Sequence, residues 1–177
     1  MTTLSDRRSG PVTLGIDPGT ARLGYGLIYG DQNPTLIDAG VIETWPDQPM
    51  PDRLVTLYQS VADLIEEFQP DVLAIEQLFF ARNVTTAIAV GQARGVVLLA
   101  AAQAGISVAE YSPSEIKHAI AGYGKADKNQ MQEMVRLILG LDRVPQPDDA
   151  ADALAIALCH AQTAPFEERA ARNRGRG

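Results

Sequence analysis

The stretch VTLGIDPGT, residues 12–20, decides the fold, because an apolar run ends there in an aspartate and a tight turn. Residues 12–16 predict a buried strand, and Asp17 stands at its end. The Pro18-Gly19 turn that follows lets a phosphate approach the backbone closely, since glycine has no side chain. An aspartate in such a turn can also bond to its own backbone and do nothing more, so this motif alone leaves both interpretations open.

Outward from this stretch the sequence alternates between strand and helix patterns. Apolar runs flanked by turn residues predict strands at 24–29, 35–44, 72–76 and 106–111, the first two joined as a hairpin. Helical apolar spacing or capping residues predict helices at 54–68, 83–104, 113–121, 127–139 and 148–161. This order predicts an α/β protein whose mixed sheet is flanked by helices.

A single domain at 12–161 is expected from 177 residues with 46% apolar and 21% charged content. Residues 1–11 are polar and lack the apolar centre of a signal peptide, so a flexible N-terminus is expected. Residues 162–177 are rich in Arg and Gly without an apolar pattern, which predicts a disordered tail. The longest apolar stretch, 95–102, is too short to span a bilayer, so a cytoplasmic protein without membrane contact is expected. Cys159, the only cysteine, lies in an apolar helix pattern and is expected to be buried.

Three more acidic residues occupy positions like that of Asp17. Glu76 ends the predicted strand 72–76, and open α/β sheets place ligands at the carboxyl ends of such strands. Asp149 and Asp152 are three apart at the start of the last predicted helix, so they share one face. Each also has an ordinary interpretation. Glu76 can simply meet solvent at a strand end, and acidic residues are favourable in a first helical turn.

The coincidence of four such acids favours a cluster at one edge of the sheet. Gathered carboxylates repel each other unless a divalent cation binds them, and all-oxygen ligation suits Mg²⁺ or Mn²⁺. This arrangement is typical of metal-assisted phosphodiester hydrolysis, in which two ions are expected in each active site. The sequence therefore predicts a metal-dependent nuclease.

The charge distribution bears on nucleic-acid binding in two ways. A net charge of −7 counts against a simple nucleic-acid binder, which is expected to carry a basic stripe. Basic residues nevertheless concentrate in the middle third of the chain, where the candidates for phosphate contacts are Arg82, Arg94, Lys117, Lys125 and Lys128. Taken individually, each of these is more often plain solvated surface. Phe79 and Phe80 follow the strand 72–76, and an exposed aromatic at such a place can stack on a base.

The motifs GIDPGT (15–20), AIEQ (74–77), GQARG (91–95) and DAADALA (149–155) resemble those of the RuvC family of bacterial Holliday junction resolvases. The resemblance covers about residues 12–160, and the order and spacing of the motifs are specific. It implies an RNase H-like fold with a mixed five-stranded sheet. Matched motif by motif, it implies that Asp17, Glu76, Asp149 and Asp152 are the catalytic, metal-binding carboxylates.

The same resemblance implies a substrate and partners. It implies a homodimer that nicks four-way junction DNA symmetrically in recombination and repair, together with the RuvA–RuvB branch-migration complex. Phe79 matches a junction-stacking aromatic of the family, with Phe80 as a second aromatic beside it. Lys117 and Lys128 match basic positions near the DNA. The small-residue helix at 83–104 is expected to carry dimer contacts.

Three other functions compete with this one. A phosphotransferase of the actin and sugar-kinase type has a similar Gly-x-Asp-x-Gly-Thr turn, but needs two such lobes where this chain has length for one. An RNase H-like nuclease for another substrate, such as precursor RNA, shares the first aspartate turn but does not predict the small-residue helix. A non-catalytic junction-binding module has no reason to concentrate negative charge beside DNA.

Overall fold

The computed structural model describes residues 10–78 and 84–174, and side chains as far as residue 164. The strands are β1 (Val12–Asp17), β2 (Arg22–Tyr29), β3 (Thr35–Glu43), β4 (Val72–Glu76) and β5 (Ser107–Tyr111). The helices are α1 (Met50–Phe68), α2 (Val84–Ala104), α3 (Pro113–Ala121), α4 (Lys128–Ile138) and α5 (Asp148–Arg174). The mixed five-stranded α/β architecture is confirmed.

The strand order, β3-β2-β1-β4-β5, brings the ends of several strands to one edge of the sheet. β1 and β4 are parallel, so Asp17 and Glu76 end neighbouring strands at the same edge. β2 runs antiparallel to β1 and begins at this edge, because Asp17 pairs with Gly24. β3 ends there too, because Arg22 pairs with Glu43. The acidic edge is this end of the sheet, where Asp17 and Glu76 end their strands beside the start of β2 and the end of β3.

Helices cover both faces of the sheet, and glycines let one of them lie unusually close. α3, α4 and α5 share one hydrophobic core with the sheet, while α1 and α2 share the other. A Cβ atom built on Gly15 would lie 2.2 Å from the backbone oxygen of Ala153, and one on Gly24 would lie 2.0 Å from that of Asp149. Both positions therefore require glycine, and their lack of side chains lets the N-terminal turns of α5 lie directly on β1 and β2.

Helix α2 is apolar on all sides. By length and composition alone it is able to cross a membrane. It packs on α1, however, and Ala93 and Val97 are fully buried in the core beneath it. Val84, Ile88 and Leu99 remain exposed at 70%, 58% and 50%. The helix thus belongs to the fold and carries apolar side chains that no described residue covers.

The C-terminal helix differs from the prediction. α5 continues to Arg174, whereas the sequence predicts an end near residue 161 and a disordered tail from 162. That prediction is wrong for residues 162–174, because a run rich in Ala, Glu and Arg favours helix even where it lacks an apolar pattern. Residues 1–9 and 175–177 lie outside the described residues, and the domain limits at 12–161 stay a prediction. Cys159 is buried, as expected.

Candidate active site

Three of the four predicted acids line one cavity at the acidic edge. Asp17 from β1, Glu76 from β4 and Asp152 from α5 surround a volume of about 310 Å³. Lys117 and Lys128 line the same cavity from α3 and α4. The structure therefore brings residues from five elements to the place that the strand ends indicated.

The electrostatics of Asp17 show how closely the acids are gathered. Burial raises the pKa of Asp17 to about 7, and the carboxylate of Asp152 adds to the rise. Glu76 and Asp149 act in the same direction with smaller effects, whereas the ammonium of Lys128 opposes them. All four acids thus share one electrostatic environment, although Asp149 does not line the cavity.

Glu76 and Asp152 are held above their ordinary pKa values for the same reasons. Burial raises the pKa of Glu76, Asp152 raises it further, and Lys117 lowers it. Burial also raises the pKa of Asp152, although Lys128 acts against that rise. Burial and the neighbouring carboxylates therefore favour a bound proton, or another positive charge close by, at each of these acids.

A metal fits this set of donors by its chemistry. Among the residues that the structure describes, no group of three or more His, Cys, Asp or Glu side chains is already placed so that it could hold a metal ion. Protein cations balance part of the charge instead: Arg22 Nε lies 3.1 Å from Asp149 Oδ2, and Lys128 Nζ lies 3.4 Å from Asp152 Oδ2. Clustered carboxylate oxygens are the ligands that Mg²⁺ and Mn²⁺ prefer, and either ion would offset the repulsion that raises the pKa of Asp17.

Lys128 is fixed beside the acids by the start of its helix. Asp127 caps α4, with its Oδ1 accepting from the backbone N–H of Gln130 at 2.9 Å, and Gln130 bonds back to complete a capping box. Lys128 Nζ lies 3.2 Å from Asp148 Oδ2 as well as near Asp152, and its side chain is half exposed. An ammonium so placed can meet an incoming phosphate without leaving the acids.

The remaining predicted basic residues fall into three groups. Lys117 lines the cavity from α3, which begins with a capping box formed by Ser112 and Glu115. Lys125 is exposed in the loop before α4, next to two residues that line the cavity. Arg82, together with Phe79 and Phe80, lies outside the described residues, so their predicted DNA contacts stay predictions.

The sequence predicts a DNA contact for Arg94, but the structure turns its guanidinium into the protein. Arg94 Nη1 donates to the backbone oxygen of Glu76 at 2.6 Å, and Nη2 lies 2.7 Å from Glu110 Oε2. Only 12% of its side chain is exposed, and the phosphate contact stays a prediction. The guanidinium is paired with oxygens on β4 and β5, so its charge can point from an apolar helix into the protein without being left unpaired. Arg94 thereby holds the backbone that carries Glu76.

Sequence reasoning missed two contributors to the site. Arg22 bridges Asp149 and, at 3.7 Å, Glu43 Oε1. Its only sequence signal is a basic residue directly after the turn of Asp17. Gln132 is 9% exposed and lines the cavity from α4. A buried glutamine one helical turn after Lys128 is the signal that points to it.

Comparisons with known proteins agree with this geometry. The family model described as crossover junction endodeoxyribonuclease RuvC matches residues 13–160. A relative of that description from Chloroflexus aggregans is 60% identical over 157 residues, which are 88% of this chain and 96% of the relative. Another from Thermomicrobium roseum is 57% identical over 149 residues, or 84% of this chain and 91% of the relative.

Solved structures give the same result. Thermus thermophilus RuvC is 40% identical, with a TM-score of 0.83 over 88% of this chain and 96% of that one. The same protein in complex with Holliday junction substrate gives 41% identity and a TM-score of 0.85, over 89% and 96%. The yeast mitochondrial Holliday junction resolvase Ydc2, at 18% identity and a TM-score of 0.67, shares the fold. The fold is RNase H-like, and the chain belongs to the RuvC family of crossover junction endodeoxyribonucleases.

Proposed function

We propose that this protein resolves four-way DNA junctions by nicking two strands of like polarity, in recombination and DNA repair. One observation carries the proposal: Asp17, Glu76 and Asp152 line a single cavity with Lys117 and Lys128. Acids that can hold divalent metal therefore stand beside cations that can hold phosphate. The substrate is supported by the T. thermophilus RuvC structure, 41% identical, which is in complex with Holliday junction substrate.

The four carboxylates are proposed to hold Mg²⁺ or Mn²⁺, two ions in each active site. Asp17, whose pKa is raised to about 7 by burial and by the neighbouring carboxylates, would be a ligand of these ions. Glu76, Asp149 and Asp152 would complete the ligands. Such ions, when bound, supply a water of lowered pKa and stabilise negative charge on the leaving 3′ oxygen.

The chain's own cations orient the DNA at these acids. Lys117 and Lys128 place their ammonium groups beside the phosphate, and Arg22 holds Asp149 at the rim of the site. The oxygen of a water molecule bonds to the phosphorus as the bond to the 3′ oxygen breaks, and the proton that this water loses passes through solvent to the departing 3′ oxygen. The expected products are 5′-phosphate and 3′-hydroxyl ends that a ligase can join.

Further DNA contacts are proposed outside the cavity. Lys125 is exposed beside it and is available to a phosphate. The sequence supports Phe79 or Phe80 as a stacking residue and Arg82 as a phosphate contact. Together they would extend the DNA surface beyond the acidic edge.

The working form is proposed to be a homodimer, because two active sites are needed to nick two strands symmetrically. Helix α2 supports this, since Val84, Ile88 and Leu99 are exposed apolar side chains along one helix. A second copy covering them would remove that surface from water. Cooperation with the RuvA–RuvB branch-migration complex and a cytoplasmic location beside the chromosome complete the proposal.

Cleavage of an end-labelled synthetic four-way junction tests the function directly. The linear duplex of the same sequence is the control, and each DNA is incubated with Mg²⁺ and with chelator. Paired, ligatable nicks in the junction alone, lost with chelator, are expected. Equal cutting of the duplex would indicate a general nuclease, and tight junction binding without cutting, across varied core sequences, would indicate a non-catalytic binding module.

A further inference from the structure

Trp45 lies just beyond β3, at the acidic edge, with its ring in solvent. It is 63% exposed, and it follows Thr44, which is only 4% exposed. A single exposed apolar residue needs no explanation by itself. The anchoring and the position of Trp45 are what distinguish it.

The backbone that carries Trp45 is tied to the catalytic turn. The N–H of Thr44 donates to the backbone oxygen of Ala21 at 3.0 Å, and its hydroxyl donates to that of Thr20. Arg53 Nε donates to the same hydroxyl at 2.8 Å. Thr20 closes the turn that starts at Asp17, so Trp45 is held in a fixed relation to the proposed cut site.

The residues after Trp45 form a turn that also restrains it. Its N–H donates to Gln48 Oε1 at 3.2 Å, and the N–H of Gln48 donates back to the oxygen of Trp45 at 3.1 Å. A ring on a restrained backbone loses little conformational entropy on binding, which favours it as a contact.

The distance from Asp17 indicates what would cover the ring. Val41 of β3 is level with Asp17 across two strand spacings, and Trp45 lies four residues beyond Val41, so Trp45 lies roughly 15 Å from Asp17. Duplex DNA rises about 3.4 Å per base pair, so this separation equals about four or five base pairs. A DNA arm that leaves Asp17 in the direction of β3 passes this position.

Nearby charges favour an apolar contact over a phosphate contact. Glu43 and Asp47 flank Trp45 in sequence, and the charge of Glu43 is partly balanced by Arg22 at 3.7 Å. A phosphate would be repelled here, whereas deoxyribose and base edges carry no charge. We infer that Trp45 packs its ring on the sugars and base edges of the DNA arm about four or five base pairs from the cut. The inference rests on the proposed function, since it requires junction DNA at Asp17.

Trp45 is the only tryptophan in the chain, so its fluorescence reports on this ring alone. The wild-type protein is titrated with a fluorescently end-labelled four-way junction in chelator, which prevents cutting. Binding is followed by anisotropy of the label, and Trp45 emission is followed with unlabelled junction. A saturable change in Trp45 emission that parallels the binding curve is expected.

Substitutions give the second readout. Trp45→Ala is expected to weaken junction binding about fivefold to tenfold through lost apolar contact, and Trp45→Phe to weaken it less. Leu137→Ala is the matched control, because Leu137 is 54% exposed at the far end of α4 and should leave binding unchanged. Thermal stability should be equal for Trp45→Ala and wild type, since the ring is exposed.

Three results would overturn the inference. Junction binding with unchanged Trp45 emission and unchanged Trp45→Ala affinity would do so while leaving the proposed function intact. Emission that follows protein concentration instead of DNA would assign the ring to a second copy. Wild-type protein that binds no junction would overturn the proposed function and this inference together.

Discussion

Asp17 combines a place at the end of the central strand, partial burial and three neighbouring carboxylates. Its folded-state pKa of about 7 lies above the ordinary value of 3.8. For an acid with a raised pKa, the contribution to stability is complete below about pH 4 and is lost as the pH rises through about 7. In the absence of metal, ionised Asp17 is thus a destabilising group at pH 8.

Asp17→Asn should therefore separate stability from activity. We expect the variant to be more stable than wild type in chelator at pH 8, by about 1–3 kcal/mol, with no difference near pH 4. Junction cleavage in Mg²⁺ should fall about a thousandfold or more, because a metal ligand is lost. Thermal unfolding at the two pH values and single-turnover cleavage measure these effects. Asp63→Asn, at an exposed position on α1, is the control and should change neither quantity. Cleavage by Asp17→Asn at the wild-type rate would show that the site is elsewhere.

The four acids were predictable because each begins or ends an element with a clear pattern. Strand ends and a first helical turn can be located from apolar runs. The parallel pairing of β1 and β4 then brings Asp17 and Glu76 to the same end of the sheet. Arg94 and Arg22 were not predictable in the same way. An apolar helix has no polar face to say which side meets the sheet, and the contact of Arg22 with Asp149 joins residues far apart in sequence.

At the scale of elements, α2 holds the end of β4 through Arg94. Arg94→Met should lower cleavage about 10–100-fold and raise the Mg²⁺ concentration needed for half-maximal rate, because Glu76 loses its fixed backbone. Junction affinity should stay within about twofold, since 12% exposure leaves Arg94 little contact with DNA. Glu110→Gln keeps the bond to Glu76 and should have a smaller effect. A loss of junction affinity equal to the loss of cleavage would instead indicate that Arg94 makes the DNA contact that the sequence predicts.

The close approach of α5 to β2 makes a second prediction for an element. Gly24→Ala adds a Cβ atom 2.0 Å from the backbone oxygen of Asp149, which is rigid backbone and cannot turn aside. The first turn of α5 must then move away from β2, at about 1–3 kcal/mol of stability. Cleavage per folded molecule should also fall, since Asp149 and Asp152 move with the helix. Chemical denaturation and cleavage rates measured at equal folded fractions test this. Full activity in a destabilised variant would mean that the helix shift does not reach the acids.

For the whole molecule, a net charge of −7 must be reconciled with DNA binding. Binding then rests on a few local cations, and its logarithm should fall steeply with the logarithm of salt concentration. Lys125→Met should reduce that slope by about one if Lys125 contacts one phosphate. Junction affinities measured at several salt concentrations from about 50 to about 200 mM provide the test. An unchanged slope would assign Lys125 to plain solvated surface.

Symmetric nicking requires that two copies of this fold associate, and α2 is the surface that supports it. Ile88 is 58% exposed, so Ile88→Glu should leave the isolated fold intact while placing a charge on the apolar surface proposed as the interface. We expect sedimentation velocity to show a dimer for wild type and a monomer for the variant. The variant should nick one strand of a junction without the coordinated second nick, because each copy carries only one set of acids. Leu137→Glu adds the same charge on α4, where 54% exposure offers an equal site, and should remain a dimer with paired nicks. A dimeric Ile88→Glu protein that still makes paired nicks would place the interface on another face.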